Sequence, residues 1–448
     1  MKKGLSRREM LKIMGATTVA GVAGGFGIPN VSSITPMRAL AQTDTIELWT
    51  GFGQGRMADA MNSAVEQFME ENPGTEVNHV VVPWGELRDQ VLRSVAAGDA
   101  PDAFRGWDWI VQTDSAEGVL TPLDDYIEAH NGNLDDFWPG TRDAMTYDGQ
   151  IFGMSHSTTV RMMFYNKDIL REVGIDPEVM PDTLEGWVEM GEAATLLADD
   201  GEIERVGFIP TIPGFLPFAW YAAFGGQNFW DAEAGTFNIN NPEMLAMFEW
   251  LKSFADRYGA ENIEAYASTY GGSGFGRQTP DGIYYTGRIA IWALNSYIYN
   301  DMGEYGPDVD FGIAPFPSPA GVDGAPGDIE ANMYLVPVRS ANPEGGFRFA
   351  NFMTSSKFVA LNKSLVDSVM PSRPSLANDP DVEAAAGWLP LARDEILPRS
   401  RYYGQFPAYG FLLRTISDDA LDRMFFDGAD PAEVLQDVQE SAERELRR

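Results

Sequence analysis

Between Ile46 and Ala97 the spacing of apolar residues changes from a period of two to a helical period and back, twice over. Glu47 stands between apolar Ile46 and Leu48, and Trp49 and Thr50 extend the same strand. Gly51, Gly53 and Gly55 interrupt it, and Met57, Met61, Ala64, Val65 and Phe68 then recur at intervals of three and four, which predicts a helix. Asn72 to Gly74 marks a turn, Glu76 to Pro83 reads as a second strand, and Glu86 to Ala97 as a second helix ended by Gly98. A third short strand and a loop fit the segment Gly98 to Trp109, and Glu117 to Ile127 reads as a packed surface loop and turn. Strands alternating with helices in this way predict an α/β architecture with a mainly parallel sheet.

The pattern changes at Gly149 to Leu170, where two apolar stretches flank the small polar run Ser155 to Thr159. This segment is a candidate hinge strand. Asp308 to Pro317, a strand entering a proline-rich loop, is a second candidate crossing between lobes. Helical patterns dominate elsewhere, at Thr183–Leu197, Pro242–Tyr258, Pro343–Phe352 and Pro431–Leu446.

The first 41 residues do not belong to this pattern. They combine Arg7-Arg8 with a weakly apolar, glycine-rich run from Ile13 to Ile28 and close on Ala39-Leu40-Ala41. Paired arginines before a mild apolar segment and a small-x-small cleavage site predict a twin-arginine signal peptide over 1–41. Cleavage there leaves 448 − 41 = 407 residues, enough for two domains with ample core. The chain contains no cysteine, which excludes disulfides, zinc-thiolate sites, thiol nucleophiles and a lipid-bearing N-terminal cysteine. An exported protein of the periplasm or extracytoplasmic space, not lipid-anchored, is expected.

The formal charge is −34, and the signal segment holds six basic residues and one acid, so the mature chain carries −34 − 5 = −39. Such a surface repels nucleic acid and anionic lipid.

A glycine-rich turn between a strand and a helix can also cradle a pyrophosphate. Here Arg56 replaces the last glycine of that fingerprint, and Val82-Pro83-Trp84 stands where a ribose-binding acid would end the second strand. A phosphate-binding loop with lysine is absent as well. The glycines instead open the backbone to a small ligand at the carboxyl end of a strand.

Taken in order, "LWTGFG", "FMEENPGTEVNHV", "AAGDAPDAF", "GVLTPLDDYI", "DGQIFGM", "MFYNKDILREVGIDP", "FGGQNF", "GRIAIWALNSY", "DFGIAPFPSP" and "VMPSRPS" resemble the extracellular solute-binding proteins of ABC importers, in the group that includes maltose-binding protein. The resemblance spans nearly the whole mature chain. It implies a two-lobed periplasmic-binding-protein fold, each lobe a mainly parallel sheet flanked by helices, joined by hinge segments. One lobe would comprise 44–156 plus 313–353 and the other 158–311 plus 356–448. It further implies a monomer that closes on a small solute, expected to be a carbohydrate, and delivers it to membrane permease subunits, without a cofactor and without catalysis.

A neutral sugar needs aromatic faces for its C–H surfaces and planar polar groups for its hydroxyls. The resemblance maps such roles onto Gly53 and Gln54 in the first loop, Trp107 and Asp108 after the third strand, and Thr158 and Thr159 in the hinge. In the second lobe it indicates Trp220, Asn295, Tyr297 and Tyr409, with Asn332 and Arg373 as further polar contacts. Tyr297 is the expected stacking platform. An anionic solute such as a sugar phosphate or sulfonated sugar, held by Arg56, Arg88, Arg105 or Arg373, is the alternative within the same class, as is a polyol. Ferric binding by the pairs Tyr284-Tyr285 or Tyr402-Tyr403 is a different reading, and a secreted glycoside hydrolase another. His79, His130 and His156 are too far apart in sequence for a paired metal motif, and no nucleophile elbow occurs.

Overall fold

A computed structural model describes residues 44–447, apart from 232, 272–274, 405 and 407. The expected signal peptide, residues 1–41, lies outside the described residues.

The opening units form as the hydrophobic pattern predicts. Strand β1 (Asp44–Thr50) runs into helix α1 (Gly55–Glu71), whose buried face is Ala58, Met61, Ala64, Val65 and Phe68. Strand β2 (Thr75–Val81) leads to α2 (Trp84–Ala97), closed by Gly98 in the left-handed region at φ 80°. Strand β3 (Ala103–Trp107) leads directly to α3 (Asp108–Ala116). β1 pairs in parallel with β2, Ile46 opposite Val77, and with β3, Leu48 opposite Ala103. The carboxyl ends of all three strands therefore lie on one edge of the sheet.

The segment from Glu117 to Ile127 is packed as expected, but its end is helical. Leu120, Leu123 and Ile127 are buried, and a helical turn occupies Asp124–Ala129. Six residues are too few for a period of 3.6 to show against flanking turn residues.

The hinge candidate is one unbroken strand, β4 (Gly153–Asn166), with all fourteen residues buried. Its first part pairs with a later strand of the same half of the molecule. Its second part, from Arg161, is flanked by β5 (Ile291–Asn295) and β6 (Phe311–Ala314), both antiparallel. Strand β7 (Ile329–Leu335) lies between β4 and β3, antiparallel to each. Opposite β7 the register shifts so that Asn332 faces Ser157 and Met333 faces Ser155, which leaves His156 as the extra residue of a β-bulge. Among the named strands of the described residues, parallel pairing is confined to β1, β2 and β3; isolated parallel bridges join Val206 to Ile289 and Asp328 to Arg401. The second half, expected to hold its own mainly parallel sheet, contributes β5, β6 and the short strand Met370–Pro371, all antiparallel to β4, to the same curled sheet. Helices and short two-stranded ribbons make up the rest of its regular structure. Apolar runs such as Ile291–Leu294 show that a strand is buried but carry no mark of its direction.

The helices of the second half follow the predicted positions closely. Thr183 caps the helix Leu184–Ala194 by accepting from Gly186 N–H, and Asn241 caps Pro242–Tyr258 from Met244 N–H. Leu196 and Leu197, expected to extend the first of these, instead pair with Ile203–Arg205 as a short ribbon.

Two separate hydrophobic cores result. One gathers β1, β3, β7 and α1 around Phe68, Phe104, Tyr334 and Phe349. The other surrounds Trp187, Trp220, Trp292 and Trp388. Ile313 and Ala314 pair with Phe164 and Met163, and Phe316, Ala325 and Ile329 pack in the second core. Asp328 is the point at which the chain re-enters the sheet between the two halves.

Candidate functional site

The carboxyl edge of β1, β2 and β3 supplies one wall of a cleft. Gly51 has to be glycine, since an added Cβ would lie 2.1 Å from Trp84 Cδ2: the indole rests on the backbone there. Phe52 meets Trp84 edge-on at 4.8 Å between ring centroids, Trp84 meets Trp107 at 5.4 Å, and Trp107 stacks on Trp109 at 6.2 Å with 11° between planes. The Arg105 guanidinium lies 5.2 Å from the Trp84 ring and 5.0 Å from the Trp107 ring, and donates to Gly106 O and to Asn332 Oδ1. The wall is a continuous aromatic surface pinned from behind by one cation.

The opposite wall comes from residues 277–305 of the second half. Between the walls lies a cavity of about 920 Å³, bordered by Gly53, Gln54, Arg56 and Trp84 on one side and by Arg277, Tyr297, Asp301, Glu304 and Tyr305 on the other. The walls touch at its rim. Arg56, in the first turn of α1, places Nη2 2.6 Å from Asp301 Oδ1 and hydrogen-bonds the Glu304 carboxylate through Nη1. Arg277 reaches the other oxygen of Asp301 at 3.2 Å, and its guanidinium carbon stands 4.2 Å from the centre of the Tyr297 ring. Burial pushes the Asp301 carboxyl above its ordinary range, and Arg277 and Arg56 pull it back.

Where β4 and β7 meet β3 lies a polar but buried floor, whose residues do not border the cavity. Asp108, 1% exposed, accepts the Trp109 N–H at 2.9 Å in the first turn of α3. Burial, reinforced by Glu330, pushes its carboxyl up to about 8, against the pull of the Trp109 and Ala331 N–H groups and Arg161. Arg161, from β4, is ion-paired with Asp328 and, at 3.1 Å, with Glu330, and its Nε donates to Asn295 Oδ1 at 3.2 Å. Burial also raises the Asp328 carboxyl and opposes Arg161. The Tyr402 and Tyr409 hydroxyls stand well above the ordinary phenol range, through burial and then the nearby Asp108. Asn332 links the two walls of this floor, donating to Thr159 Oγ1 at 3.0 Å while accepting from Arg105.

Of the residues indicated by sequence, Gly53, Gln54 and Tyr297 border the cavity. Trp107 belongs to the aromatic wall, and Asp108, Thr159, Asn295, Asn332 and Tyr409 gather in the buried polar floor; none of them borders the cavity. Three others are placed elsewhere. Trp220 is fully buried in the second core, 4.6 Å from Phe316 and 4.8 Å from Trp250 between ring centroids, so its faces are taken by protein. Arg373 lies over Phe137 and donates to Gly132 O, Asn133 O and Thr354 Oγ1, a structural brace. Thr158 is buried with its hydroxyl against Thr141 Oγ1 at 2.8 Å. A strand exposes alternate residues to opposite faces, so Thr158 and Thr159 cannot both turn toward one cleft.

Sequence reasoning passed over Trp84, Arg277, Asp301, Glu304, Tyr305, Arg161 and Glu330. Trp84 alone had a local signal, its position just past the carboxyl end of β2 beside a glycine loop. Asp301 lies one helical turn beyond Tyr297, a spacing that gains meaning only once Tyr297 is placed in the cleft.

The tyrosine pairs are engaged by protein contacts. Tyr403 donates to Gly226 O and stacks on Phe229, Tyr284 packs against Trp292, and Tyr285 donates to Arg277 O. Among the described residues no group of three or more His, Asp or Glu side chains is placed to hold a metal.

A two-lobed α/β frame with a ligand-sized cavity between its halves defines a protein that captures small molecules by enclosure. The chain belongs to the bacterial extracellular solute-binding protein family, whose model matches residues 54–360. A putative binding protein of Brucella abortus is 21% identical over 93% of this chain and 97% of its own length. A maltotriose-binding protein of Pyrococcus abyssi is 25% identical over 72% of this chain and 65% of its own. An sn-glycerol-3-phosphate-binding periplasmic protein of Pectobacterium atrosepticum is 23% identical over 64% and 63%. Among solved structures, a mannotriose-bound binding protein superposes with a TM-score of 0.75 at 23% identity, covering 89% of this chain and all of the other. An ABC substrate-binding protein of Listeria monocytogenes, in complex with cycloalternan, gives a TM-score of 0.72 at 18% identity over 90% and 99%. These relatives are binding proteins, not enzymes. No helix of the described residues is long and apolar enough to cross a membrane.

Proposed function

We propose that this chain is an exported receptor that encloses a neutral carbohydrate, larger than a single sugar ring, and passes it to the permease of an ABC importer. The observation that carries this reading is the cavity itself. Its volume of about 920 Å³ falls at the upper end of small-molecule sites, and Trp84, Tyr297 and Tyr305 border it. Flat aromatic surfaces suit the C–H faces of pyranose rings.

The charge of the site favours a neutral solute over an anionic one. Each arginine that could have met a phosphate or sulfonate already has a protein partner: Arg56 has Asp301 and Glu304, Arg88 has Asp114, Arg105 has Asn332 and Gly106 O, and Arg373 has backbone carbonyls. An anion would have to displace an existing partner from one of them, an acid in the case of Arg56 and Arg88, inside a protein of charge −34 or below. Relatives that bind maltotriose and mannotriose agree with this reading, and the glycerol-3-phosphate-binding relative marks the alternative.

The lobes in this reading are 44–156 plus 329–353 and 158–328 plus 356–448, and the paired arginines of residues 1–41 direct export through the twin-arginine pathway. The mature protein acts as a monomer without a lipid anchor.

A thermal-shift panel tests the reading. Mannotriose, maltotriose, cyclic and branched oligosaccharides, monosaccharides, polyols and glycerol 3-phosphate are each added in excess. A bound solute at a hundred times its Kd stabilises the native state by about 2.7 kcal/mol and raises Tm. Neutral oligosaccharides are expected to give the shift. A response to glycerol 3-phosphate alone would transfer the site to the anionic class. With the solute so found, Tyr297→Ala is expected to weaken binding by about 1–3 kcal/mol in calorimetry, roughly ten- to a hundredfold, through loss of one stacking surface.

A further inference from the structure

We propose that Arg56, Asp301 and Arg277 form an affinity-setting clasp across the cleft mouth, in which Arg56 is the arm that engages and releases. The three residues are not equivalent. Arg277 and Asp301 lie on the same wall, 277–305, so their ion pair survives any movement of one lobe against the other. Arg56 belongs to the opposite lobe, in the first turn of α1, and its bonds to Asp301 and Glu304 exist only while the walls meet.

This division solves a physical problem. Asp301 is 1% exposed, and a buried carboxylate stripped of every cationic partner is costly. A cleft held shut by such a carboxylate and a single arginine would resist opening and trap its solute. With Arg277 resident, opening removes only the second cation and leaves Asp301 paired. The releasing arm, by contrast, is 36% exposed, so its bonds are modest and screened by salt. The clasp therefore biases the lobes toward closure without locking them. The resident Arg277 guanidinium also lies 4.2 Å from the Tyr297 ring centre and holds the platform on which a sugar would rest, whether or not Arg56 is engaged. Arg56 is a positioning residue in this scheme: it sets affinity through the population of the closed state. Its loss is expected to weaken capture about three- to tenfold, whatever the solute.

The inference rests on capture by lobe closure, and it can be tested with no solute added, so its failure leaves the assignment of the solute class untouched. The chain has no cysteine, so Asn62→Cys and Asp308→Cys, at exposed positions on α1 and just beyond the opposite wall, accept one spin label each. Pulsed dipolar spectroscopy on the mature protein then reads the distance between the lobes. At low salt the parent is expected to show a short-distance population that shrinks at about 1 M NaCl, where the Debye length is about 3 Å. Arg56→Gln is expected to show the diminished population at both salt concentrations, with circular dichroism and Tm at the parent's values. Distance distributions that are the same in parent and Arg56→Gln at both salts would overturn the clasp.

Discussion

The cleft has two charged regions, and they obey different physics. At the mouth, Arg56, Arg277, Asp301 and Glu304 draw on both lobes, and two of the four are more than a third exposed. On the floor, Asp108, Arg161 and Asp328 are all nearly sealed from water, with Glu330 at their edge. The Arg56–Glu304 pair, exposed on both sides, contributes about 0–1 kcal/mol and fades with salt. Buried groups of the second kind contribute little net stability when intact, yet removing one partner costs several times as much. A receptor that must open and close can use weak pairs where its lobes part. It can use strong, hard-to-break ones only where the chain does not separate, and β4 and β7 provide that place.

The floor is where a single change should matter most. Arg161→Met removes the one cation shared by Asp328 and Glu330 and is expected to destabilise the protein by about 3–5 kcal/mol, read as a lowered urea midpoint at unchanged slope. An unchanged midpoint would mean that the floor is wetter than its burial indicates, and the contrast with the mouth would fail.

Asp108 sharpens the contrast through pH. Its carboxyl is pushed up to about 8 when folded, against an ordinary value near 4, so between these limits the unfolded chain releases a proton that the native protein retains. Native stability should therefore fall as pH rises from 4 toward 8, with a limiting slope of about 1.4 kcal/mol per pH unit from this group. Asp108→Asn, which resembles the protonated acid, should remove that contribution. The Tm of the variant should gain on the parent between pH 5 and pH 8, and a constant difference across that range would count against a neutral, buried Asp108.

The smallest expected effect concerns the molecule as a whole. With a formal charge of −34 on the chain, self-repulsion is relieved by counterions, and Tm should rise by a few degrees between low salt and about 1 M NaCl. Salt should thus stabilise the fold while loosening the mouth. A Tm that falls with salt would indicate that attractive pairs, not repulsion, dominate the surface.

Much of this protein is legible in its sequence. The strand–glycine–helix opening, the capped helices at Leu184 and Pro242 and the hinge strand all arise from local periodicity and turn chemistry, which neighbouring residues impose on one another. The order of short family motifs carried the class of protein. Tyr297, Gly53 and Gln54 could be placed at the cavity because each adjoins such a motif.

What the sequence alone left undecided depends on which side chains meet across distance. Trp220 and Trp84 are the same residue type, and both follow a proline closely. One lies in a closed core because Phe316 and Trp250 cover it from afar; the other faces the cleft because glycine at position 51 lets it lie flat on β1's loop. Strand direction beyond β3 was equally hidden, since burial marks a strand but not its orientation. The partnership of Arg56 with Asp301 spans 245 residues, and no local pattern encodes it. Local chemistry determined the elements and the kind of receptor. Long-range packing decided which of its aromatic and charged residues face the solute.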